Sequence, residues 1–417
     1  MITLIMQKII LVLASTFPVN DSDSVPNFVK DQIIEFKRIE ESYKIIVIAP
    51  SVKSIDPQKN DNFIHLRYRY FFKRMEKLTV KGILPTVKNN PLYFLIIPFF
   101  IISQILFTIK IVRRDKPHHI YAHWVTPQAI TALVIKKLFD IPFSFSSHAH
   151  DAEILTKLPI FGKYLLNSIV KNSYKFTFDS INTENKLKKH IKNKNWNQDK
   201  SLVLPMGVNN RSFENKNGKE ISEFRKTDNT KIGFVGRFAE KKGVEILITT
   251  FAQLSNLDYP VELVLCGMGP LENKYLQLIQ KLNISNKTKI LKFFNDNEKL
   301  ITVYELSDII VIPSVITKGG DVEGLPIVSL EALYFGKIVI GSIQSNLGEV
   351  IDHGKNGFLF DSEKPEELKI LLEDILNNKY DLEAIKLEAK SLGRMYSVEK
   401  TAKLYFNHLF YFKKNSC

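Results

Sequence analysis

The stretch from Asp308 to Ser342, DIIVIPSVITKGGDVEGLPIVSLEALYFGKIVIGS, decides the fold of the second half of the chain. Its two ends, DIIVIPS (308–314) and KIVIGS (337–342), are short apolar runs typical of buried strands. Between them lie a glycine-containing loop and a helical pattern from Leu325 to Phe335. A strand, a helix and a second strand in this order predict a parallel pair covered by its crossover helix.

The same alternation of strands and helices extends over the whole chain. Further strands are predicted at 9–14, 43–50, 118–124, 143–148, 171–180, 202–205, 231–236, 261–267, 288–294 and 357–360. Two such series in tandem predict an α/β protein with two Rossmann-like domains, whose parallel sheets face a cleft between them. Because ligands of open parallel sheets bind beyond the carboxyl ends of the strands, we expect the functional residues to lie there.

The polar stretch 209–230 has the composition of a linker or a long loop. We therefore place an N-terminal domain at 1–207 and a C-terminal domain at 208–395, followed by a last segment at 396–417. The apolar run Ile9 to Ala14 is short for the core of a signal peptide and lacks a small-residue cleavage site, so we interpret it as a first buried strand.

Composition excludes several classes of protein. With 417 residues, of which 45% are hydrophobic, the chain is long and apolar enough for two folded domains and is not disordered. Its two cysteines, Cys266 and Cys417, exclude a disulfide framework and a cysteine-rich zinc site, which fits a reducing compartment. The net charge of +14 lies entirely in residues 1–205, where 30 Lys and Arg accompany 16 Asp and Glu. A basic half suits an anionic membrane face, an anionic substrate or a nucleic acid.

One segment, LYFLIIPFFIISQILFTI (92–109), holds no charge. Lys88 precedes it, and Lys110, Arg113 and Arg114 follow it. Eighteen residues are at the lower limit for a spanning helix, and the basic flanks suit a helix lying in an anionic interface. Three alternatives remain open: a core helix of the first domain, an interfacial helix and a membrane span.

Two strand ends of the second half carry candidate ligand-binding residues. VGRFAEKKG (235–243) places Arg237 and Lys242 between a strand and a helix start, where free N–H groups and cationic side chains attract phosphate. In the opening stretch, Glu323 lies in the loop before the helix, and the N–H groups of Gly324 and Leu325 can hold a phosphate.

Glu331 lies on the following helix, where a carboxylate can accept both hydroxyls of a ribose. Each of these residues alone could be an ordinary surface group, whereas their joint occurrence favours a nucleotide site. The turn CGMGPLE (266–272) does not extend to the dinucleotide fingerprint, so no nicotinamide cofactor is expected.

The first half offers AHW (122–124) and SHAHDAE (147–153), both directly after predicted strands. We predict that His148 is a polar contact to substrate, and that His123, His150 and Asp151 converge at the edge of the cleft. The spacing of the histidines is not that of a known metal motif, and HExxH is absent, so no metal is expected.

The second half resembles the retaining glycosyltransferases of family 4, which have the GT-B fold. Over residues 231–361 the resemblance is carried, in order, by GFVGRFAEKKG, LVLCGMGPLE, YELSDIIVIPS, GDVEGLPIVSLEALYFGKIVIGS and GEVIDHGKNGFLF. AHWVTPQA and FSFSSHAHD carry a looser resemblance in the first half. GDVEGLP and the SHAHD loop are most similar to enzymes of exopolysaccharide, colanic-acid-type and O-antigen assembly.

The resemblance implies a role for each matching position. Arg237 and Lys242 would hold the diphosphate of a UDP- or GDP-sugar, with Gly324 and Leu325 at the distal phosphate and sugar. The remaining roles are ribose binding by Glu331, contact with the transferred sugar by Glu323, and a place near the sugar and acceptor for His148. The segment 396–417 would be a helix crossing back to the first domain.

The expected activity is transfer of a sugar, with retention and without a metal cofactor, to a lipid-linked saccharide on the cytoplasmic face of a membrane. Catalysis without a metal follows because Arg237, Lys242 and a helix N-terminus can stabilise charge on the leaving nucleoside diphosphate. The rival functions are a sugar-nucleotide 2-epimerase of the same fold and a basic membrane- or nucleic-acid-binding non-enzyme. The alternating aromatic and basic residues of HLRYRYFFKR (65–74) are the feature that suggests nucleic-acid binding. No nucleic-acid-binding motif is present, however, and no nucleic acid partner is expected.

Overall fold

The computed structural model describes residues 8–20, 27–52, 59–79, 83, 86–87, 90–148, 151, 153–156, 160–210, 213, 228–292 and 297–410. The chain forms two compact units, one of residues 1–205 with 401–417 and the other of residues 206–400. The sequence placed the first boundary at 207 and the start of the last segment at 396. Val208 and Ser397 form an isolated parallel bridge within the second unit, so the segments that enter and leave that unit lie side by side.

The N-terminal unit is built on a seven-stranded sheet of order β3-β2-β1-β4-β5-β6-β7, whose strand pairs are all parallel. Its strands are β1 (Ile9–Leu13), β2 (Lys44–Pro50), β3 (Ile64–Tyr68), β4 (His119–His123), β5 (Phe143–Ser147), β6 (Phe176–Phe178) and β7 (Ser201–Val203). Central strands such as β1 and β4 are apolar and almost wholly buried, as expected of a sheet covered on both faces.

The helices of this unit are α1 (Phe28–Ile39), α2 (Ile97–Asp115), α3 (Ile130–Phe139), α4 (Glu153–Thr156), α5 (Phe161–Asn172) and α6 (Ile181–Lys188). Leu11 and Leu13 of β1 belong to the core cluster that also contains residues of α2, α3 and α5. On α1, Phe36 instead packs edge-on against the rings of Phe406 and Phe410 in the last helix of the chain. Residues 401–410 thereby complete the core of the N-terminal unit.

Strand β3 was not anticipated by the sequence analysis, which noted the aromatic and basic pattern of 65–74 as a possible nucleic-acid-binding surface. In the fold, Tyr68 is buried in the core, and the Arg67 guanidinium donates hydrogen bonds to the carbonyl oxygens of Pro50 and Phe17, both at 2.6 Å. Arg69 pairs with the buried Glu76 at 3.4 Å. The pattern is therefore explained by an edge strand whose arginines tie neighbouring loops to the sheet.

The apolar segment 92–109 forms a 3₁₀ turn, Pro91–Ile96, that continues into α2. From Pro91 to Asp115 it is long and apolar enough to cross a membrane, a property that core helices of soluble proteins share. One stripe of α2 packs into the unit: Phe100, Gln104, Thr108, Ile111 and Val112. The rest of the helix is half-buried or exposed.

The C-terminal unit has a six-stranded sheet of order β10-β9-β8-β11-β12-β13, again with all pairs parallel. Its strands are β8 (Thr230–Val235), β9 (Val261–Cys266), β10 (Thr288–Leu291), β11 (Ile309–Ile312), β12 (Ile338–Ser342) and β13 (Phe358–Phe360). The helices are α7 (Val244–Asn256), α8 (Glu272–Lys281), α9 (Asn297–Leu306), α10 (Ile327–Tyr334), α11 (Pro365–Leu376) and α12 (Leu382–Met395). The last helix, α13 (Val398–Phe410), begins at the end of this unit, and its residues from 401 onward belong to the N-terminal unit. The stretch 308–342 forms the predicted strand-helix-strand unit.

Docking of α13 onto the N-terminal unit gives a stability prediction. Phe406 is 6% exposed and contacts the rings of Phe36 and Phe410, whereas Leu404 on the same helix is 52% exposed. We expect Phe406→Ala to destabilise the N-terminal unit by about 3 kcal/mol, since a buried aromatic side chain is removed. Leu404→Ala should cost less than about 0.5 kcal/mol. Urea unfolding followed by tryptophan fluorescence measures this unit, because Trp124 and Trp196 both lie in it. Equal effects of the two substitutions would contradict the docking of the helix.

Candidate active site

The loop after β8 is held tightly by its neighbours at the carboxyl edge of the C-terminal sheet. Gly243 has φ +61°, and a Cβ atom there would lie 1.8 Å from the carbonyl oxygen of Pro313. The next loop is tied to it, since the Val315 N–H donates to the Lys241 carbonyl at 2.9 Å. Glycine is therefore required at 243, where it ends the turn that holds Lys242 and allows α7 to begin at Val244.

Lys242 and Glu323, which the sequence placed on two separate loops, are in direct contact. The Lys242 Nζ lies 2.6 Å from Glu323 Oε1, and the two side chains are only 16% and 11% exposed. The Ser314 hydroxyl donates to Glu323 Oε2 at 2.8 Å, and the Asn346 amide donates to the Glu323 carbonyl at 3.0 Å. Glu323 is thus fixed by three neighbours, and Lys242 carries a cation that an anionic ligand could share.

Arg237 is exposed, and within the described part of the chain its guanidinium has no ion-pair or hydrogen-bond partner. The helix of the opening stretch begins at Ile327 with Pro326 as its N-cap, two residues later than the sequence pattern indicated. The N–H groups of Gly324 and Leu325, which precede this cap, donate to no acceptor among the residues that the structure describes. Cationic and N–H donors are therefore available on the β8 and β11 loops.

Glu331 lies in α10 and is paired with a residue that the sequence analysis did not single out. The hydroxyl of Tyr304, a buried residue of α9, donates to Glu331 Oε2 at 2.7 Å. The Tyr304 ring stacks on Phe335 at 5.1 Å, which fixes its position. Burial raises the pKa of Glu331, and the hydrogen bond from Tyr304 partly opposes that rise. Glu331 is therefore an oriented, half-buried carboxylate rather than a free surface acid.

At the carboxyl edge of the N-terminal sheet, the structure brings His123, His148 and Asp151 together. The two imidazoles stack with centroids 5.8 Å apart and planes 7° from parallel. Phe28 and Trp124 contact the His148 ring edge-on, at 5.5 and 5.6 Å. His150 lies outside the described residues.

The two histidines differ in exposure. His123 is completely buried behind His148, and neither of its ring nitrogens has a hydrogen-bond partner in the described structure. His148 is half-buried, and its Nε2 likewise lacks a described partner. Burial lowers the pKa of both imidazoles, which favours the neutral form. The His148 ring stacks on His123, and its Nε2 is itself shielded from solvent, so the pair forms a buried neutral cluster beside the end of β5.

Asp151 joins the ends of β4 and β5. Its Oδ2 accepts from the Val125 N–H and its Oδ1 accepts from the Ser147 hydroxyl, both at 2.6 Å. Burial raises the pKa of this carboxyl to about 7, against the lowering effect of these hydrogen bonds. Because Val125 and Ser147 flank the two histidines in sequence, Asp151 fixes the loops that present them.

Trp124 and Ser314 were not among the residues predicted for the site. Trp124 has φ +79°, an unfavourable conformation for a large side chain, and its ring contacts His148. In the sequence, only its position directly after His123 could have indicated that Trp124 belongs to the site. Ser314 follows β11 and became recognisable only through its bond to Glu323. Among the described residues, no group of three or more His, Cys, Asp and Glu side chains is arranged to hold a metal ion.

Residues 216–392 match the sequence model of the family described as glycosyl transferases group 1. An uncharacterized glycosyltransferase of Methanocaldococcus jannaschii is 26% identical over 67% of this chain and 72% of its own length. The amylovoran biosynthesis glycosyltransferase AmsK of Erwinia amylovora is 27% identical over 38% of each chain.

A similar solved structure is that of Anabaena HepE in complex with UDP-glucose, with a TM-score of 0.64 and 16% identity over 96% of this chain and all of that one. Together with the two parallel-sheet units, these findings establish the GT-B fold predicted from the sequence. The family match over residues 216–392 and the names of the relatives support a glycosyltransferase enzyme whose C-terminal unit resembles group 1.

The buried carboxyl of Asp151 predicts a dependence of stability on pH. Because its pKa is raised from 3.8 to about 7 on folding, the folded state holds the proton more tightly, and stability is lost as pH rises from about 4 to 7. Relative to Asp151→Asn, which carries no charge, the wild type should lose about 2–3 kcal/mol between pH 5 and pH 8. Urea unfolding at several pH values measures this difference.

The exposed Asp140 provides the matched control for this experiment. Asp140→Asn should follow the wild-type pH profile, because its side chain is 93% exposed and its ion pair with Lys136 is screened by solvent. If the profiles of wild type and Asp151→Asn ran parallel, the Asp151 carboxyl would not be protonated in the folded state at neutral pH.

Proposed function

We propose that the protein is a retaining glycosyltransferase of family 4 that moves a sugar from a UDP- or GDP-sugar to a lipid-linked saccharide in the synthesis of a cell-surface polysaccharide. The observation that carries the proposal is the contact between Lys242 and Glu323 at the carboxyl edge of the C-terminal sheet. It places a cation for phosphate and a carboxylate for sugar hydroxyls side by side, and the N–H groups of the next two residues, Gly324 and Leu325, have no acceptor in the described part of the chain.

In this proposal, Arg237 and Lys242 bind the diphosphate, and the N–H groups of Gly324 and Leu325 bind the distal phosphate and the sugar. The incoming phosphate competes with Glu323 for Lys242, because both are anions within reach of one ammonium group. As Lys242 turns towards phosphate, Glu323 gains acceptor capacity for the sugar while Ser314 still holds it.

Glu331 binds the two hydroxyls of the ribose. A carboxylate oriented by Tyr304 suits this role, since one oxygen is anchored at 2.7 Å and the other can accept from the ligand. The half-buried site also makes each hydrogen bond stronger than it would be in water.

Charge develops on the leaving nucleoside diphosphate as the bond to the sugar breaks. Arg237, Lys242 and the backbone N–H groups are positioned on the protein before the reaction and can stabilise that charge, so the proposed mechanism requires no metal cofactor. The acceptor hydroxyl then attacks the oxocarbenium-like sugar from the face that the leaving group occupied, which retains the configuration. His148 contacts the sugar and the acceptor, and Asp151 positions its loop.

Two relatives support the substrate classes. HepE has been solved with UDP-glucose, which supports a nucleotide-sugar donor for this chain. AmsK is a glycosyltransferase of amylovoran biosynthesis, which supports a saccharide acceptor in polysaccharide synthesis. A lipid-linked acceptor places the enzyme at the cytoplasmic face of a membrane as a peripheral protein, in agreement with the basic first half of the chain.

Binding of nucleotide sugars tests the donor assignment. Calorimetric titration with a panel of UDP- and GDP-sugars should detect at least one ligand, and Lys242→Ala should weaken its binding by at least tenfold, because a half-buried phosphate contact is lost. The matched control is Lys241→Ala, whose ammonium group lies 3.5 Å from the more exposed Asp321; we expect less than a threefold effect.

Two outcomes would overturn the proposal. One is the absence of binding to every sugar nucleotide of the panel. The other is release of free nucleotide with a rearranged sugar when no acceptor is present, which would assign the protein to the 2-epimerases instead.

The role of Tyr304 gives a separate prediction. Tyr304→Phe removes only the hydroxyl that orients Glu331, so we expect nucleotide binding to weaken by about three- to tenfold. In a variant that already carries Glu331→Gln, the second substitution should have a smaller effect, because the two residues act together. Tyr259→Phe removes a hydroxyl bonded to Asn377 instead and should leave binding unchanged. Additive effects of Tyr304→Phe and Glu331→Gln would contradict the orienting role.

A further inference from the structure

The N-terminal unit exposes a cluster of large apolar side chains around the start of α2. We name it the first apolar cluster; its members are Phe72, Leu92, Phe94, Leu95 and Phe99, which are 54–74% exposed. The Phe71 ring joins two of its members, contacting Phe72 at 5.1 Å and Phe99 at 5.4 Å, and Leu92, Phe94 and Leu95 lie in the turn that leads into the same helix. Exposed apolar side chains grouped in this way are unusual on a protein surface that contacts only solvent.

Insertion of α2 across a bilayer does not explain the exposed cluster, because the other side of the helix is part of the core. The buried stripe of α2 carries Phe100, whose ring packs against Tyr68 at 5.7 Å and Tyr70 at 5.0 Å. The same stripe holds the polar residues Gln104 and Thr108 inside the unit. Withdrawal of the helix would open the core and place those two polar groups in lipid, so α2 stays packed with its outer side available.

A second group of exposed apolar residues lies at the start of α5. Ile160, Phe161 and Tyr164 form this second apolar cluster and are 87%, 66% and 68% exposed. Ile160 has φ +41°, a left-handed conformation that is rare for a β-branched residue.

Both clusters belong to the same edge of the sheet by topology. Helices α2 and α5 follow β3 and β5 and return antiparallel to the parallel strands, so each begins at the carboxyl edge. His123 and Ser147 end β4 and β5 at that same edge. The two apolar clusters therefore flank the loops that carry His148 and Asp151.

The clusters are accompanied by positive charge. Lys73 and Arg74 directly follow Phe72, Lys77 lies three residues further on, and all three are exposed; Lys163 is exposed within the second cluster. The half of the chain that contains them has 30 basic and 16 acidic residues. Apolar side chains next to basic ones match the acyl and headgroup layers of an anionic bilayer.

We propose that the two apolar clusters insert into the headgroup region of an anionic lipid bilayer and orient the carboxyl edge of the N-terminal sheet towards the lipid. Helix α2 lies on the interface without crossing it. The proposal deepens the proposed function by naming the surface through which a lipid-linked acceptor reaches His148. A second copy of the chain fits this surface less well, because pairing would bring the basic residues of both copies together.

The experiment is sedimentation of the full chain with vesicles of phosphatidylglycerol and phosphatidylcholine, without donor or acceptor. We expect binding at low salt that falls at least tenfold with 0.5 M salt or with pure phosphatidylcholine vesicles. Phe94→Ser with Leu95→Ser, and separately Ile160→Ser with Phe161→Ser, should each reduce the partition coefficient at least tenfold.

Leu138→Ser is the matched control, since Leu138 is 60% exposed but lies in the last turn of α3, at the opposite edge of the sheet. It should change vesicle binding less than twofold. All variants should unfold at the wild-type temperature, because only exposed side chains are changed. They should also bind sugar nucleotides like the wild type, which separates this proposal from the donor assignment.

Three outcomes would overturn the proposal. Failure to bind anionic vesicles at low salt would remove the membrane as partner. Resistance of bound protein to alkaline carbonate would show that a segment spans the bilayer. A stable dimer without vesicles, dissociated by the cluster variants but not by Leu138→Ser, would assign the surface to a second copy of the chain.

Discussion

All strands of each sheet run in one direction, and the position of every candidate residue depends on this constraint. Parallel strands end at a common edge, so loops far apart in sequence must pass one another there. In the C-terminal unit they pass at backbone contact: a Cβ atom at Gly267 would lie 1.9 Å from the carbonyl oxygen of Gly236, and one at Gly269 would lie 2.3 Å from that of Phe238. The glycines of the CGMG turn are thus required for loop packing. They bring the loop that carries Arg237 against its neighbour.

Much of this arrangement was predictable from the sequence, because buried parallel strands are continuous apolar runs and helices separate them. The strand-helix-strand unit of 308–342 and the residues Lys242 and Glu323 were identified in this way. Strand β3 was missed because an edge strand is buried on only part of its surface, so its aromatic and basic residues imitate a binding surface. Tyr304 was missed because its role depends on a contact with Glu331, 27 residues away, that no local pattern encodes.

Burial of a carboxyl group carries a desolvation penalty. In this fold, the buried carboxyl groups lie where they hold loops in place. Asp151 accepts two short hydrogen bonds from two different strand ends, and Glu323 accepts from Ser314 while pairing with Lys242. Each group thereby offsets part of its desolvation with bonds that also restrict the loop. A hydrophobic side chain at either position would relieve the electrostatic cost but leave the backbone and hydroxyl donors around it unpaired. The polar contacts therefore determine loop geometry more than overall stability.

The apolar segment 92–109 shows why composition alone could not choose among core helix, interfacial helix and span. The mean hydropathy of a segment takes no account of the side of the helix on which each residue lies. In the fold, the residues at 100, 104, 108 and 111 of α2 face the core, including two polar ones, whereas Phe99, Ile102 and Leu106 face outward. The spacing of three and four residues divides one apolar helix into two surfaces with different partners. The inner surface stabilises the unit, so substitutions on the outer surface can test the proposed membrane contact while the sheet edge that presents His148 stays folded.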